Sequence, residues 1–338
     1  MSGAANPVMT IDPSEEDQDK LAEFESRIAA GVLIEPGDWM PQAYRVGMLR
    51  MAEHHANSEI VGALPEGEWI TRAPSLRRKL ALTAKVQDEV GHGQMLYRVS
   101  QDLGKSREDM LRDLCTGKTK YHNCFNYPAP TWGDIAMIQW LIDGAAIMNQ
   151  KTLADGAYGP YVRTMHRINM EEAFHFKSGE DMVLTLMSGT KKQKQMTQEA
   201  FDRWWGPSIM FFGPPDKPGC ETMPPMRWRM KIETNDSLRR RFVNRFAPAA
   251  RDLGLVVHVC EKDEQGLVTS KRVDELCTPD EDGNWGFTTP DWDEFFRVIR
   301  GNGPCNAHRL ALRRFSYEQG AWVRRAIAGG DTTLPPAA

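Results

Sequence analysis

Residues 84–93 read AKVQDEVGHG and residues 171–175 read EEAFH, so one spacing, Glu-x-x-His, occurs twice, as Glu89-Val90-Gly91-His92 and as Glu172-Ala173-Phe174-His175. Both copies fall on long stretches of helical character. Side chains three residues apart on a helix share a face, so a carboxylate and an imidazole at this spacing reach one metal ion together. A single Glu-x-x-His on a surface helix is commonplace. Two on separate helices, in a chain with only eight histidines, form a pattern. Lone carboxylates, Glu59 and Asp143, lie on two further helical stretches. Four helices that turn two Glu-x-x-His pairs and two single carboxylates inward are the way a ferritin-like bundle holds two metal ions.

Charge supports that reading. Four carboxylates and two neutral imidazoles carry four negative charges, which two ferrous ions cancel in a dry interior where uncompensated charge is costly. A donor set rich in carboxylate, with two histidines and no cysteine, is too hard for structural zinc and suits iron or manganese, iron being favoured for oxygen activation. Asp88 and Glu171 immediately precede the two motifs, placed as outer partners that fix the tautomer of a ligand imidazole.

The fold expected is all-α: a ferritin-like four-helix bundle with additional C-terminal helices and a small irregular or β-hairpin appendage. A polar tail (1–20) precedes the bundle (21–206). A C-terminal wrap, the hairpin appendage and further helices (207–327) pack on the bundle or on a partner, and a tail (328–338) ends the chain. The first ligand helix starts at Pro41 and runs to about Gly62, with the loop 64–67 breaking it. The second follows Ser75 and stops at Gly104. Thr131 and Asp134 resemble a capping box that opens the third, which is apolar on most faces and carries Asp143. The fourth runs from about Pro160 to Met187. Gly91, Gly93 and Gly144-Ala145-Ala146 leave room beside the ligands, for close helix approach or for a cavity. From Val256 to Thr289, β-branched pieces alternate with charged turns, as in a small hairpin.

With 338 residues, 41% of them hydrophobic, the chain can bury one large core or a core with an annex. No apolar run approaches a membrane span, and the N-terminus, MSGAANPVMTIDPSEEDQDK, is no export signal, so a cytoplasmic enzyme without a membrane partner is expected. Six cysteines without Cys-x-x-Cys spacing argue against a zinc ribbon, an iron–sulfur cluster or a disulfide framework. A net charge of −4 argues against a nucleic-acid partner.

With the six ligand candidates marked, the surrounding words become recognisable: NSEIVGALPEGEWITRAPSLRRK (57–79, with Asn57 in place of the usual His), FNYPAPTW (125–132), DGAAIMNQ (143–150), YGPY (158–161), PSIMFFGPP (207–215) and NGPCNAHRL (302–310). From about Arg27 to Ala326 the chain closely resembles the catalytic A subunits of bacterial ring 1,2-phenylacetyl-CoA epoxidases, most weakly over 256–291. The resemblance implies a multicomponent di-iron monooxygenase of aerobic phenylacetate degradation, which uses O2 to place one oxygen atom on the ring of phenylacetyl-CoA. It implies electrons from NADPH through the flavin and iron–sulfur cluster of a separate reductase, and pairing with two further subunits, a metal-free bundle and a small bridging one. It further implies that Glu59, Glu89, His92, Asp143, Glu172 and His175 bind two iron ions, Glu89 and Glu172 being best placed to bridge and Asp143, a shorter side chain, binding loosely or through water. Lys85 would pair with a carboxylate when metal is absent. Arg50, His54, Lys120, Tyr121, His122, Asn123 and Lys231 would line the channel for coenzyme A, whose phosphates need cations or amide donors.

Other readings stay open at this point. They are a di-iron oxygenase of another aryl-CoA such as benzoyl-CoA, a non-catalytic scaffold subunit of the same complex, and an iron-storage or radical-generating relative, for which Tyr97, five residues past His92, is the tyrosine to consider.

Overall fold

The computed structural model describes residues 15–262, 268–272, 279–287 and 290–329. Helix α1 (Glu15–Ala29) leads to α2 (Gln42–Gly67), α3 (Leu76–Asp102) and the short α4 (Arg107–Cys115). An irregular crossing then reaches α5 (Trp132–Met137), a π turn (Ile138–Ile142) and α6 (Asp143–Leu153), which form one rod. Next come α7 (Gly159–Met187), α8 (Lys191–Met210), α9 (Pro224–Arg227) and α10 (Asn235–Asp252). Strands β1 (His258–Lys262) and β2 (Val268–Arg272) follow, and α11 (Trp292–Arg297), α12 (Asn306–Gln319) and α13 (Ala321–Ile327) close the chain. The long helices α2, α3, α5–α6 and α7 are the bundle rods. Most of the N-terminal tail expected at 1–20, and nearly all of the C-terminal one, lie outside the described residues, whereas 15–20 belong to α1.

Local signals start these helices where the sequence suggests. Ser75 accepts the amide of Arg78 at the head of α3, and Thr131 with Asp134 closes both halves of a capping box at the head of α5. Asp134 is fully buried and also receives Arg203 Nε at 2.8 Å and Trp204 Nε1 at 3.0 Å, which fastens α8 to that cap.

Two boundaries differ from the expectation. Helix α2 does not break at 64–67 but runs through Pro65 to Gly67. A proline this close to a C-terminus costs one backbone bond and no more of the helix. What holds the last turn in place is Glu66, 1% exposed, whose carboxylate receives Lys85 Nζ at 2.7 Å and Gln139 Nε2 at 3.0 Å. The third rod is also not one uninterrupted α-helix. Its π turn sits immediately before Asp143, and such turns, each adding one residue to the helix, concentrate at functional sites. Across from it is Gly179 of α7, where a Cβ would stand 2.4 Å from the Gln139 carbonyl carbon and 2.5 Å from the Trp140 nitrogen. The absence of a side chain at 179 is what lets the widened turn seat against α7.

The core has two apolar parts. One gathers α1, the first half of α2, the end of α3 and the start of α7 around Phe24, Tyr44, Met48 and Tyr97. The other gathers the third rod, the end of α7, α8 and α10 around Trp140, Trp205, Phe242 and Phe246, so segments on both sides of residue 206 share one interior. Between the two, the apolar stripe of the ligand helices is interrupted. Buried positions on α3 run Leu82, Lys85, Glu89, His92, Leu96, and on α7 Ile168, Glu172, His175, Gly179, Met182. Helical spacing is kept while the chemistry switches from apolar to charged and back.

The glycines in this layer serve close packing. A Cβ on Gly93 would meet Ile60 at 2.7 Å, and one on Gly144 would meet Phe246 at 2.3 Å. Gly91 is different, with nothing within 4 Å. The expected hairpin is present as β1 antiparallel to β2, Cys260 opposite Ser270, and its turn lies outside the described residues. Helix α12 returns to α4, Arg314 Nη2 donating to the Cys115 carbonyl at 2.9 Å.

Gly179→Ala is therefore expected to destabilise the chain by about 1–3 kcal/mol through overpacking against the π turn. Gly91→Ala, in open space, should stabilise it by up to about 1 kcal/mol. Urea midpoints of the two variants, moving in opposite directions, check this.

Candidate metal centre

Glu59 comes from α2, Glu89 and His92 from α3, Asp143 from the first residue of α6, and Glu172 and His175 from α7. All six are buried, from 0% exposure for the two histidines to 7% for Glu59 and Glu89. Their ligand atoms fall into two groups, Glu59, Glu89, His92 and Glu172, and Glu89, Asp143, Glu172 and His175, each within a span of 4.8 Å. Glu89 and Glu172 belong to both. Two carboxylates common to two four-donor groups give the topology of a bridged dinuclear centre.

The histidines are oriented for it. His92 turns Nδ1 inward, 3.4 Å from Glu172 Oε1 and 3.6 Å from Glu59 Oε2, and sets Nε2 2.9 Å from Glu171 Oε2. His175 turns Nδ1 inward, 3.3 Å from Glu172 Oε2 and 3.5 Å from Glu89 Oε1, and sets Nε2 3.1 Å from Asp88 Oδ2. The acid partners therefore cross: the histidine of α3 uses the acid of α7, and the reverse. Each Nε2–H donates to a carboxylate, which leaves Nδ1 as the lone pair for a metal.

Several observations show that the cluster fits a cation pair. His92 Nδ1 is buried 3.4 Å from its nearest carboxylate oxygen, Glu172 Oε1, and Asp143 Oδ2 is buried 3.2 Å from the Lys85 ammonium. Burial opposes charge on both imidazoles, yet the surrounding carboxylates, Glu172 first, override it, raising His175 to about 9 and His92 further. Positive charge is what this space favours. Burial drives Asp143 well above the usual carboxylate range despite Lys85, and the neighbouring acids Glu172, Glu66 and Glu89 add to the rise. The donors are hard oxygen and imidazole nitrogen, with no sulfur.

Lys85 is 2% exposed and contacts Glu66, Glu89 and Asp143, the last at 3.2 Å. Burial disfavours its charge, but these acids hold it protonated. Glu66, read as loop in the sequence, is thus a buried member of the site. The signal that finds it is its spacing: seven residues after Glu59, two helical turns, it returns to the same face. His55, one turn before Glu59, is the second residue that the sequence reading passed over, with Nε2 2.8 Å from Glu59 Oε1.

The profile of a family described as phenylacetic acid catabolic protein matches residues 9–322. The chain belongs to this family. It is 46% identical over 303 residues to the A subunit of 1,2-phenylacetyl-CoA epoxidase from Escherichia coli (strain K12), a match covering 90% of this chain and 94% of that one. Among the described residues, no helix is long and apolar enough to cross a membrane.

In this family member the acidic cluster floors a cavity of about 460 Å³, walled by Phe125, Ile142, Phe211, Phe212, Leu238 and Phe295 among others. Of the residues expected at a coenzyme A channel, His54, His122, Asn123 and Lys231 are in the wall. Arg50 is exposed on α2 outside that lining. Lys120 donates to the Gly117 carbonyl at 2.8 Å. Tyr121 is buried on the other side of its loop, its hydroxyl donating to Asn126 Oδ1 at 2.6 Å and accepting from Asn306 Nδ2 at 3.0 Å. His122 is extended and caps the single 3-10 turn that begins at Asn123, and this change of backbone course separates Tyr121 from the two residues in the wall. Tyr97 donates to Asn57 Oδ1 at 2.7 Å and belongs to neither ligand group.

His122 stacks on Phe211 at 4.1 Å, and its Nε2 donates to the Phe211 carbonyl at 2.8 Å. Burial lowers His122 to about 3 and His54, whose ring is 6.1 Å away, to about 4, so both are neutral in the folded chain at neutral pH. The unfolded chain binds protons at these histidines near pH 6.5, and the folded chain does so only at lower pH. Their contribution to stability is therefore complete above about pH 6.5 and is lost as pH falls towards about 4. His122→Phe should reduce the drop in urea midpoint between pH 7 and pH 5; a drop equal to that of the parent chain counts against this assignment.

Proposed function

We propose that this chain is the catalytic subunit of a di-iron monooxygenase that epoxidises the aromatic ring of phenylacetyl-CoA at the 1,2 position. The observation carrying the proposal is the pair of carboxylates, Glu89 and Glu172, common to two buried ligand groups at the floor of an apolar cavity, in a chain 46% identical to one named for that reaction. Glu59, Glu89, His92 and Glu172 would hold one iron, and Glu89, Asp143, Glu172 and His175 the other. When bound, the iron pair supplies reductive activation of O2, in which two electrons and two protons leave one oxygen atom on the ring and the other in water.

The chain's own part is binding, orientation and charge balance. Lys85 and Glu66 cancel each other, so the four remaining buried carboxylates set the charge that two ferrous ions neutralise. Asp88 and Glu171 fix the ligand imidazoles. The aromatic wall buries the phenyl ring and keeps water from the acids beneath it. His54, His122 and Asn123 supply neutral polar groups for the thioester and its arm. Lys231, half-buried beside Asn235, is the cation in the wall apart from Lys85, and it serves the phosphate end.

The sequence contains no cysteine cluster and no Gly-x-Gly-x-x-Gly unit to hold electron carriers of its own. The electron source we propose is the one the resemblance implies, NADPH through the flavin and iron–sulfur cluster of a separate reductase. A metal-free bundle partner and a small bridging protein complete the assembly.

Reconstitution with the two partner subunits, the reductase, NADPH and phenylacetyl-CoA should yield a CoA product heavier by one oxygen atom, as read by mass analysis; an unaltered thioester rejects the activity. Metal analysis separates the ligand roles. The parent chain should hold two iron ions, Glu89→Ala neither, and Asp143→Ala one, all three with the same helical circular dichroism. Full iron in Glu89→Ala would refute the bridging assignment.

A further inference from the structure

Glu59 differs from the other candidate ligands in what stands behind it. The two histidines lean on acids of the opposite helix, Glu89 and Asp143 share Lys85, and Glu172 lies between both imidazoles. Glu59 has none of these. One helical turn earlier on α2, His55 places Nε2 2.8 Å from Glu59 Oε1, while Glu59 Oε2 faces the cluster, 3.6 Å from His92 Nδ1.

The proton positions on His55 follow from its neighbours. A carboxylate oxygen at 2.8 Å requires a donor, so Nε2 carries a hydrogen. In the neutral ring Nδ1 is then an acceptor, and the Tyr161 hydroxyl lies 2.8 Å from it. Tyr161 is 2% exposed, and burial, with Glu59 nearby, raises its pKa, so its hydroxyl stays a donor. The chain of bonds thus runs one way, from Tyr161 O–H to Nδ1, and from Nε2–H to Glu59 Oε1.

Gln150 agrees with this order. Its amide nitrogen stands 3.3 Å from His55 Nε2, two donors face to face, while its oxygen is buried without a partner. The two ends of a primary amide have the same shape, so turning it over changes no packing. The oxygen then shares Nε2–H with Glu59 Oε1, and the amide nitrogen takes the buried position that the oxygen leaves. One protonation state of His55 thus suits Tyr161, Glu59 and the turned amide oxygen.

We propose that His55 is a positioning residue for the metal centre: it holds Glu59 Oε1 on its Nε2–H, so that Glu59 offers a single oxygen, Oε2, to the metal at the His92 end. This proposal rests on the di-iron reading above. Without the hydrogen bond, the carboxylate is free to rotate about its last bonds and the His92 end loses a fixed ligand, whereas the His175 end, which does not use Glu59, is untouched.

The test is a metal titration of the full chain, with Co(II) as the probe, followed by visible absorption and checked by equilibrium dialysis. The parent chain should bind two ions. His55→Phe should weaken one of them by about 10–100-fold, the effect typical of losing an outer hydrogen-bond partner, and leave the other as in the parent. His55→Gln, which keeps an amide N–H one turn before Glu59, should restore most of the loss. Two full-affinity ions in His55→Phe would overturn the proposal, as would equal weakening of both ions with no rescue by His55→Gln, which is the signature of a packing defect. A parent chain that fails to take up two ions overturns the di-iron reading instead, and this proposal with it.

Discussion

Five carboxylates, Glu59, Glu66, Glu89, Asp143 and Glu172, buried around one lysine inside a helical bundle are the constraint to which the rest of this structure answers. Carboxylates in such a place are tolerable only with compensating cations, and the chain supplies one, Lys85, which Glu66 already matches. The remaining demand is for positive charge from outside the polypeptide. The raised proton affinity of His92 and His175 expresses the same demand, met by protons where metal would sit. Metal uptake in such a site would be an exchange, in which cations replace protons.

The surrounding architecture makes that charged layer possible without giving up stability. Apolar interiors lie on both sides of it, one anchored by α1 and the first half of α2, the other by α8 and α10. Because the charged residues occupy positions of the same helical stripe as the apolar ones, the rods need not bend or open to accommodate them. The π turn before Asp143 and the bare Gly179 opposite it belong to this arrangement, since they set where the third rod presents its acid. The cavity then opens over the layer, its wall taking Phe211, Phe212, Phe295 and Phe296 from the C-terminal half and most of its other residues from the bundle helices.

Much of this was legible in the chain itself. The Glu-x-x-His spacing is a statement about one helix face, so it could be read from α3 and α7 alone that each turns a carboxylate and an imidazole to the same side. The capping signals at Ser75 and Thr131 were equally local. Glu66 was hidden because Pro65 beside it reads as a helix breaker, and only the tertiary partners Lys85 and Gln139 reveal that the last turn survives. His55 was hidden for another reason: beside His54, its chemistry depends on which ring faces Glu59 and Tyr161, which no local spacing states. The π turn leaves no mark in propensity at all. The separation of His122 and Asn123 from Tyr121 turns on the path of an irregular segment, where periodicity offers no guide.

The crossed acid–histidine pairs between α3 and α7 have a mechanical side. Each rod carries both halves of a latch, so sliding one along the other by a single residue would unfasten Glu171 from His92 and Asp88 from His175 at once. The antiparallel alignment of the two is thereby fixed from inside, before any ion arrives. The ordering entropy of bringing the acids and imidazoles of the cluster together is thereby met during folding.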